Sequence, residues 1–331
     1  MKKVLVTGAG GSIGINVIKY LLSEGKYEIT ALDLRNKNSQ KRLKKYRRRI
    51  NLIYGDMNDS VLMDALVKDH DYIIHLAGVM PPIADMKHNI SEMIDYKGTE
   101  NMIKAMNMYN PNAYLLYASS TTIYGDIKTA SVNTKPNLTP LDYYSETKLK
   151  IEKMIQNKVK NYAIIRLPLI LTNPKTGAFM YNVKLNSVVE AITDNDAGYL
   201  FVNALNHIEK LNRKIWNGTG GEMTTDTYRN ILANVLKIYG LSFSYLLTAL
   251  FVDKNFYTHT YEDSNELEKI LEFRSDSISS YYMRLKRQVK GRKIAKLLAK
   301  PIASFLTRKN RGRITKALKK PFSIFHKRKE K

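Results

Sequence analysis

The sequence predicts an α/β protein: a doubly wound parallel sheet with helices on both faces, a small C-terminal part and a basic amphipathic helical tail. Three observations carry this. Short β-branched runs alternate with apolar-periodic stretches of helical length, as in a parallel sheet covered on both sides. The first run passes into the first helix through three glycines, Gly8, Gly11 and Gly14. Beyond about residue 275 the composition shifts to Lys and Arg interleaved with regularly spaced apolar residues. The globular unit is therefore placed at 1–275, with a core over about 1–170 and a mixed part with the last sheet strands over about 171–275. The tail is placed at 276–331.

Val4-Leu5-Val6-Thr7 has the composition of a buried parallel strand, and Ile15 to Leu22 the periodicity of a helix. One glycine between them lets the chain turn sharply, one lets backbone approach a pyrophosphate, and one lets helix pack on strand. The free N–H groups at the helix start, around Ser12 and Ile13, would face the phosphates. Asp33 closes a second strand, Glu28 to Leu32, at the spacing where a carboxylate accepts hydrogen bonds from an adenosine ribose. Together these features predict dinucleotide binding.

Arg35 to Arg49 holds nine Lys/Arg and no acid. It reads as a solvated loop or helix. Two alternatives stay open: Arg35 meeting a 2′-phosphate, which Asp33 would repel, and the segment joining the tail on an anionic surface. A third strand, Ile50 to Tyr54, ends in Gly55-Asp56-Met57; a helix, Ser60 to Lys68, leads to the strand Tyr72 to His75 and then Leu76-Ala77-Gly78. His75 falls inside its strand and reads as a core or sheet-end residue. Val79 to Ile90 reads as a loop, about Ser91 to Met108 as a helix, and Ala113 to Ala118 as the fifth strand.

That strand ends in hydroxyl-rich Ser119-Ser120-Thr121-Thr122, where open α/β sheets bind ligands. After a Pro/Asn/Thr-rich loop, Lys128 to Leu141, Tyr144 opens a helix running through Met154. Tyr144 and Lys148 are four apart and share one helix face. A cation beside a phenol favours the phenolate, which would bring Tyr144 toward the range of a general acid/base.

Composition narrows the class. A chain of 331 residues with 44% hydrophobic and 25% charged content can bury a real core. With no cysteine, disulfides and thiolate metal sites are excluded, which fits a reducing compartment. Glycines interrupt the apolar run after Met1-Lys2-Lys3 too soon for a signal peptide. The longest apolar run, near Tyr245 to Val252, falls well short of the roughly 20 residues of a membrane span. A cytoplasmic location is expected.

The motifs together resemble the extended short-chain dehydrogenase/reductase family, the NAD-dependent epimerase/dehydratase group. They are Thr7-Gly8-x-x-Gly11-x-x-Gly14, Asp33, Asp56-Met57, His75-Leu76-Ala77-Gly78, Ser119-Ser120-x-x-Ile123-Tyr124-Gly125 and Tyr144-x-x-x-Lys148. Weaker echoes are Ile164 to Pro168 as a sixth strand, Ile192 to Leu205 with Asp196 as a strand-to-helix turn, and Lys214 to Gly220 as the last strand. The resemblance implies a Rossmann-type fold binding NAD through Gly8, Gly11, Ser12, Ile13, Gly14 and Asp33. It also implies adenine contacts from Asp56 and Met57, and a cofactor wall of Leu76, Ala77 and Gly78. Tyr144 would be the catalytic acid/base, Lys148 would hold the nicotinamide ribose and tune Tyr144, and Ser120 would bind the substrate oxygen. NADP is disfavoured by Asp33.

Departures from the family pattern matter too. Family 4,6-dehydratases carry Asp-Glu where Thr121-Thr122 stand, so dehydration is not expected. Asp95 stands where Asn is usual before Gly98-Thr99, Leu169 where nucleotide-sugar members often have Asn, and Leu171-Thr172-Asn173-Pro174 replaces Tyr-Gly-Pro. The substrate cap between Pro174 and Asp196 is short; Leu241 to Leu271, rich in Phe and Tyr, reads as core or as a replacement cap.

Residues 284–331 hold 19 of the 54 Lys/Arg and one of the 30 Asp/Glu, so they carry +18 of the formal +24. Leu285, Val289, Ile294, Leu297, Leu298, Ile302 and Phe305 form an apolar stripe that Pro301 should interrupt, and Ile314, Leu318, Phe322 and Phe325 form a second. A basic helix with such a stripe suits the headgroup plane of an anionic membrane; a solvated or self-packed helix is the alternative, and the stripe argues against nucleic acid. The expectation is an NAD-dependent sugar or nucleotide-sugar epimerase/reductase of glycan precursor synthesis, peripheral at the inner membrane face. By family habit it would be a homodimer through the helices Ser91–Met108 and Tyr144–Met154. The alternatives are a reductase of a small or steroid-like alcohol and a non-catalytic NAD-binding scaffold.

Overall fold

The computed structural model describes residues 1–81, 83–127, 131–134, 138–173, 183–246, 251 and 260–290. The first half runs β1 (Lys2–Thr7), α1 (Ser12–Glu24), β2 (Tyr27–Asp33), α2 (Lys37–Leu43), β3 (Asn51–Tyr54), α3 (Ser60–Lys68) and β4 (Tyr72–His75). It continues with two single turns, α4 (Ile83–Met86) and α5 (His88–Ser91), then α6 (Gly98–Tyr109), β5 (Tyr114–Ser120), the short β6 (Ser131–Val132) and α7 (Tyr143–Lys158). The second half holds β7 (Asn161–Leu167), β8 (Ile170–Leu171), β9 (Val188–Glu190), β10 (Ile192–Thr193), α8 (Asp194–Ala204), α9 (Ile208–Leu211) and β11 (Lys214–Asn217). It closes with β12 (Thr225–Thr227), α10 (Tyr228–Ile238), β13 (Thr260–Tyr261), α11 (Ser264–Leu271) and α12 (Ile278–Lys290).

Seven strands pair in parallel in the order β11-β7-β5-β4-β1-β2-β3. Strand alternation sends Val4, Val6, Ile74, Leu116 and Ile165 to one face, against α1 and α8. Leu5, Ile73, Leu115 and Ile164 go to the other, against Met63 of α3, Met102 and Met106 of α6, and Ile151 and Ile155 of α7. Burying each such side chain stabilises by roughly 1.5–3 kcal/mol. This is why the strands read as continuous apolar runs. The connections from β1 lead outward through β2 and β3, while β4 pairs on the other side of β1. The winding therefore reverses between β1 and β4, and a crevice opens at their carboxyl ends.

The predicted sheet and its first five strands match within a residue or two. The sixth strand appears as β7 and the last as β11, which ends before Gly218. The Arg35–Arg49 stretch folds as α2 and a 3₁₀ turn, Lys44–Tyr46, with Asn36 capping α2 through Asn38 and Ser39 N–H. The helix expected from Ser91 is not uniform: Glu92–Lys97 is π-helical before α6 begins at Gly98. Gly98 fits there because a Cβ would lie 3.1 Å from Met57 Cβ.

A third apolar cluster joins Tyr228, Ile231 and Ile238 of α10 to Tyr281, Leu285 and Val289 of α12. Leu285 and Val289, read as the start of the tail's stripe, are thus buried in the body. Phe251 and Tyr261 are buried as well, as the core reading of the aromatic stretch requires. Residues 291–331 with the rest of both stripes, and Phe256 and Tyr257, lie outside the described residues. Among the described residues no helix is long and apolar enough to cross a membrane.

Candidate active site

The crevice is built first by glycine. Gly8 takes a φ of +67°, and a Cβ on it would lie 2.7 Å from Ala77 N and 2.8 Å from Leu76 C. The ends of β1 and β4 therefore meet backbone to backbone, fastened by Leu76 N donating to Thr7 O at 3.2 Å and Ala77 N to Thr7 Oγ1 at 3.3 Å. Gly11 is the N-cap of α1 and offers no side-chain cap, so the first N–H groups, at Ser12 and Ile13, face outward from a positive helix end. Gly14 packs so closely that a Cβ would clash with Gly8 O at 2.4 Å and Ala9 O at 2.7 Å. Asp33, at the end of β2, accepts from Gly10 N at 2.7 Å. Burial raises its carboxyl above the usual range, while the Gly10 and Leu34 amides pull it back.

These features fit a dinucleotide: an uncapped helix start for the pyrophosphate and a carboxylate on the ribose side. Gly14→Ala is expected to strain the turn by roughly 1–3 kcal/mol and weaken NAD binding, checked by calorimetric titration alongside the melting temperature. Asp56 and Met57 are less directly disposed. Asp56 is exposed and holds Asn58 N and Nδ2 at 2.9 Å each, while the Met57 side chain is buried in the core under α6.

Ser120 ends β5, Tyr144 stands in the first turn of α7 and Lys148 follows one turn later; Asp142 caps α7 by accepting from Ser145 N at 2.7 Å. All three predicted residues are buried, and they come together. Burial pushes the Tyr144 phenol well above its usual value, the Asp95 carboxylate adds to this, and a hydrogen bond with Ser120 opposes it. Lys148 Nζ donates to Ala118 O at 3.2 Å and lies over the rings of Tyr117 and Tyr144, 4.9 and 5.8 Å from their centroids. It thus meets the face of the Tyr144 ring. The phenol is therefore raised rather than lowered as the spacing to Lys148 suggests: desolvation leads, and Ser120, not Lys148, is the group that opposes it. Burial in turn lowers the Lys148 ammonium, opposed by Asp95 and Glu152.

Several neighbours went unforeseen. Tyr144 Oη donates to Met80 Sδ at 3.6 Å. Asp85 Oδ1 accepts from Tyr144 N at 3.1 Å and is pushed up to about 7, by burial first and by Asp142 second. No sequence signal marks either residue. Glu152 lies one turn beyond Lys148, a spacing from which its shared helix face could be read; it binds Ser119 and the buried Arg166. His75 is a core residue, as expected. It is held between Thr7 Oγ1 at 2.6 Å and Thr99 Oγ1 at 2.8 Å, and burial lowers it to about 3.

Residues 4–196 match the family described as NAD dependent epimerase/dehydratase. The chain belongs to that family. Among curated relatives, a dTDP-glucose 4,6-dehydratase of Mycolicibacterium smegmatis is 29% identical over 170 residues, 49% of this chain and 50% of the relative. A UDP-glucose 4-epimerase of Lactobacillus helveticus is 28% identical over 162 residues, 46% of each. The match thus spans about half the length of these curated relatives. The fold extends further: a UDP-glucuronic acid 4-epimerase of Bacillus cereus, solved with UDP-glucuronic acid and NAD, superposes with a TM-score of 0.73 at 18% identity. That superposition covers 87% of this chain and 99% of the other.

Proposed function

We propose that this family member is an NAD-dependent epimerase or reductase of a nucleotide-linked sugar. The observation that carries the reading is the convergence of Ser120 and Lys148 on the buried Tyr144 at the carboxyl edge of β5, beside the glycine cradle. NAD, held by the Gly8–Gly14 turn and Asp33, supplies the acceptor and donor of a hydride when bound. The protein's own work is positional and protolytic. Ser120 Oγ orients the substrate oxygen, Tyr144 Oη holds or takes its proton, and Lys148 fixes the ribose side. The low exposure of all three side chains limits water at the reacting atoms.

Thr121 and Thr122 offer hydroxyls where an eliminating enzyme needs an acid and a base, which favours epimerisation or reduction over loss of water. Thr122 Oγ1 is committed to Ser145 Oγ at 2.8 Å. The basic stretch beyond α12, with 15 Lys/Arg in 291–331, supports contact with anionic headgroups. Incubating the full chain with UDP- and dTDP-linked hexoses and oxidised NAD, and in a second arm with their 4-keto forms and NADH, tests the central reading. An epimer or reduced sugar is expected by nuclear magnetic resonance. A 4-keto-6-deoxy product would replace the reading with dehydration, and no turnover of any member would overturn it.

A further inference from the structure

The residue that the reading above leaves without a role is Asp95. It lies in the π-helical turn Glu92–Lys97, which interrupts the helix and carries Asp95 to 2% exposure. Such a turn costs regular hydrogen bonding and is common where a side chain must be aimed. Its Oδ1 accepts from Val79 N at 2.7 Å and its Oδ2 from Ser91 Oγ at 3.4 Å. Across from it stands Lys148. A Cβ added to Gly78 would find Lys148 Nζ at 3.4 Å and Asp95 Oδ1 at 3.6 Å. An ammonium and a carboxylate, both buried, therefore border the same methyl-sized space above Gly78.

We propose that Asp95 is a positioning residue for Lys148: across the space left by Gly78, its carboxylate is the buried counter-charge that keeps the ammonium protonated in the closed site. This rests on the reading of Lys148 as the ribose-side ligand of NAD. An isolated buried ammonium is unstable and sheds its proton. The other groups facing Lys148 do not replace Asp95. Glu152, on the same helix, already shares both carboxylate oxygens with Arg166. Tyr117 and Tyr144 present ring faces, and His75 is held neutral by burial, with Lys148 adding to that effect. Asp85 and Asp142 face the first turn of α7, at Tyr144 and Ser145. Asp95 is the stronger of the two carboxylates sustaining the Lys148 charge against burial, ahead of Glu152; Lys148 and the Val79 amide in turn counter the rise that burial gives Asp95.

Asp95→Asn separates the charge from the hydrogen bond, because an amide oxygen still accepts from Val79 N–H. NAD binding to the full chain, measured by calorimetry from pH 6 to 10, reads the result. Wild-type affinity should fall as the buried ammonium loses its proton, at a pH below the range of a free lysine. In Asp95→Asn that fall should begin on the order of one pH unit lower, with binding roughly threefold weaker midway between the two midpoints and approaching about tenfold above both, and with affinity at pH 6 unchanged. Asp95→Ser removes the same charge with a smaller side chain and should shift the profile the same way, which covers a failure of the Asn variant to fold. Superimposable profiles for wild type and either folded variant overturn the proposal. Lys148→Met distinguishes the levels. If it binds NAD as the wild type does, Lys148 is not the ribose-side ligand and both readings fall. If it weakens NAD while Asp95→Asn keeps the wild-type profile, the role of Asp95 alone falls.

Discussion

Tyr144→Phe should lower turnover of the sugar substrate by roughly 10²- to 10⁴-fold, the usual worth of a positioned proton-transfer group, while NAD remains bound. The substitution removes one oxygen from a side chain that is 5% exposed and leaves the ring that Lys148 overlies. The hydroxyl's partners here are Met80 Sδ and Ser120, neither of which belongs to the cofactor cradle. The fold should therefore survive. The pH dependence has a definite sign. Burial and Asp95 hold the phenol above its ordinary value, so Tyr144 carries its proton at neutral pH and is ready to donate it. Protonating a substrate alkoxide is then the facile direction, and oxidising an alcohol should speed up as pH rises and the phenolate fraction grows. Steady-state rates in both directions against pH check this: the wild type should show the opposed slopes and the Phe variant neither. Full activity in Tyr144→Phe would remove the acid/base role.

The parts of this site that are legible in the sequence are those fixed by backbone needs. Gly8 and Gly14 stand at positions where a Cβ would strike neighbouring backbone, so nothing else fits, and the pattern is visible without coordinates. Tyr144 and Lys148 are one helical turn apart, a spacing that translates directly into a shared face. The less legible parts arise from tertiary meetings. Met80 and Asp85 come from a segment whose composition says only loop, and they reach Tyr144 because α4 and α5 fold back over the first turn of α7. Further contacts hold it there: His88 stacks on Tyr143 at 4.1 Å, and Tyr143 Oη donates to Glu92 at 2.7 Å. The π-helical turn at Glu92–Lys97 was hidden for a similar reason. An apolar period of 3.6 tolerates one inserted residue, and packing at Gly98 and Met57 selects the register. The phenol's direction of shift was misjudged because desolvation depends on burial, which spacing does not report.

Glu152→Ala should be the most destabilising single change, at roughly 3–5 kcal/mol, because it strands a charge rather than merely deleting a contact. Arg166 and Glu152 have side chains 2% and 1% exposed. Their pairing is a bidentate fork, Nε to Oε1 at 3.0 Å and Nη2 to Oε2 at 2.7 Å. Ser119 Oγ donates to Oε1 at 2.5 Å, and Arg166 Nη1 donates to Tyr124 Oη at 3.1 Å and Thr134 O at 3.2 Å. Tyr124 Oη donates to Asn217 Oδ1 at 2.7 Å, and Asn217 Nδ2 donates to Asp263 Oδ1 at 2.8 Å. The network thus ties β5, α7, β7 and β11 to the segment before α11, and it sits directly behind Lys148. With Glu152 gone, the guanidinium keeps only neutral partners in an environment that water does not reach. A fall in melting temperature on the order of 10 °C is expected. Replacing both partners, Glu152→Leu with Arg166→Met, removes the stranded charge and should recover part of the loss. The comparison is made by thermal denaturation of wild type, single and double variants at one pH. If the double variant is no more stable than Glu152→Ala, the cost lies in the broken hydrogen bonds to Ser119, Tyr124 and Thr134 rather than in an uncompensated buried charge.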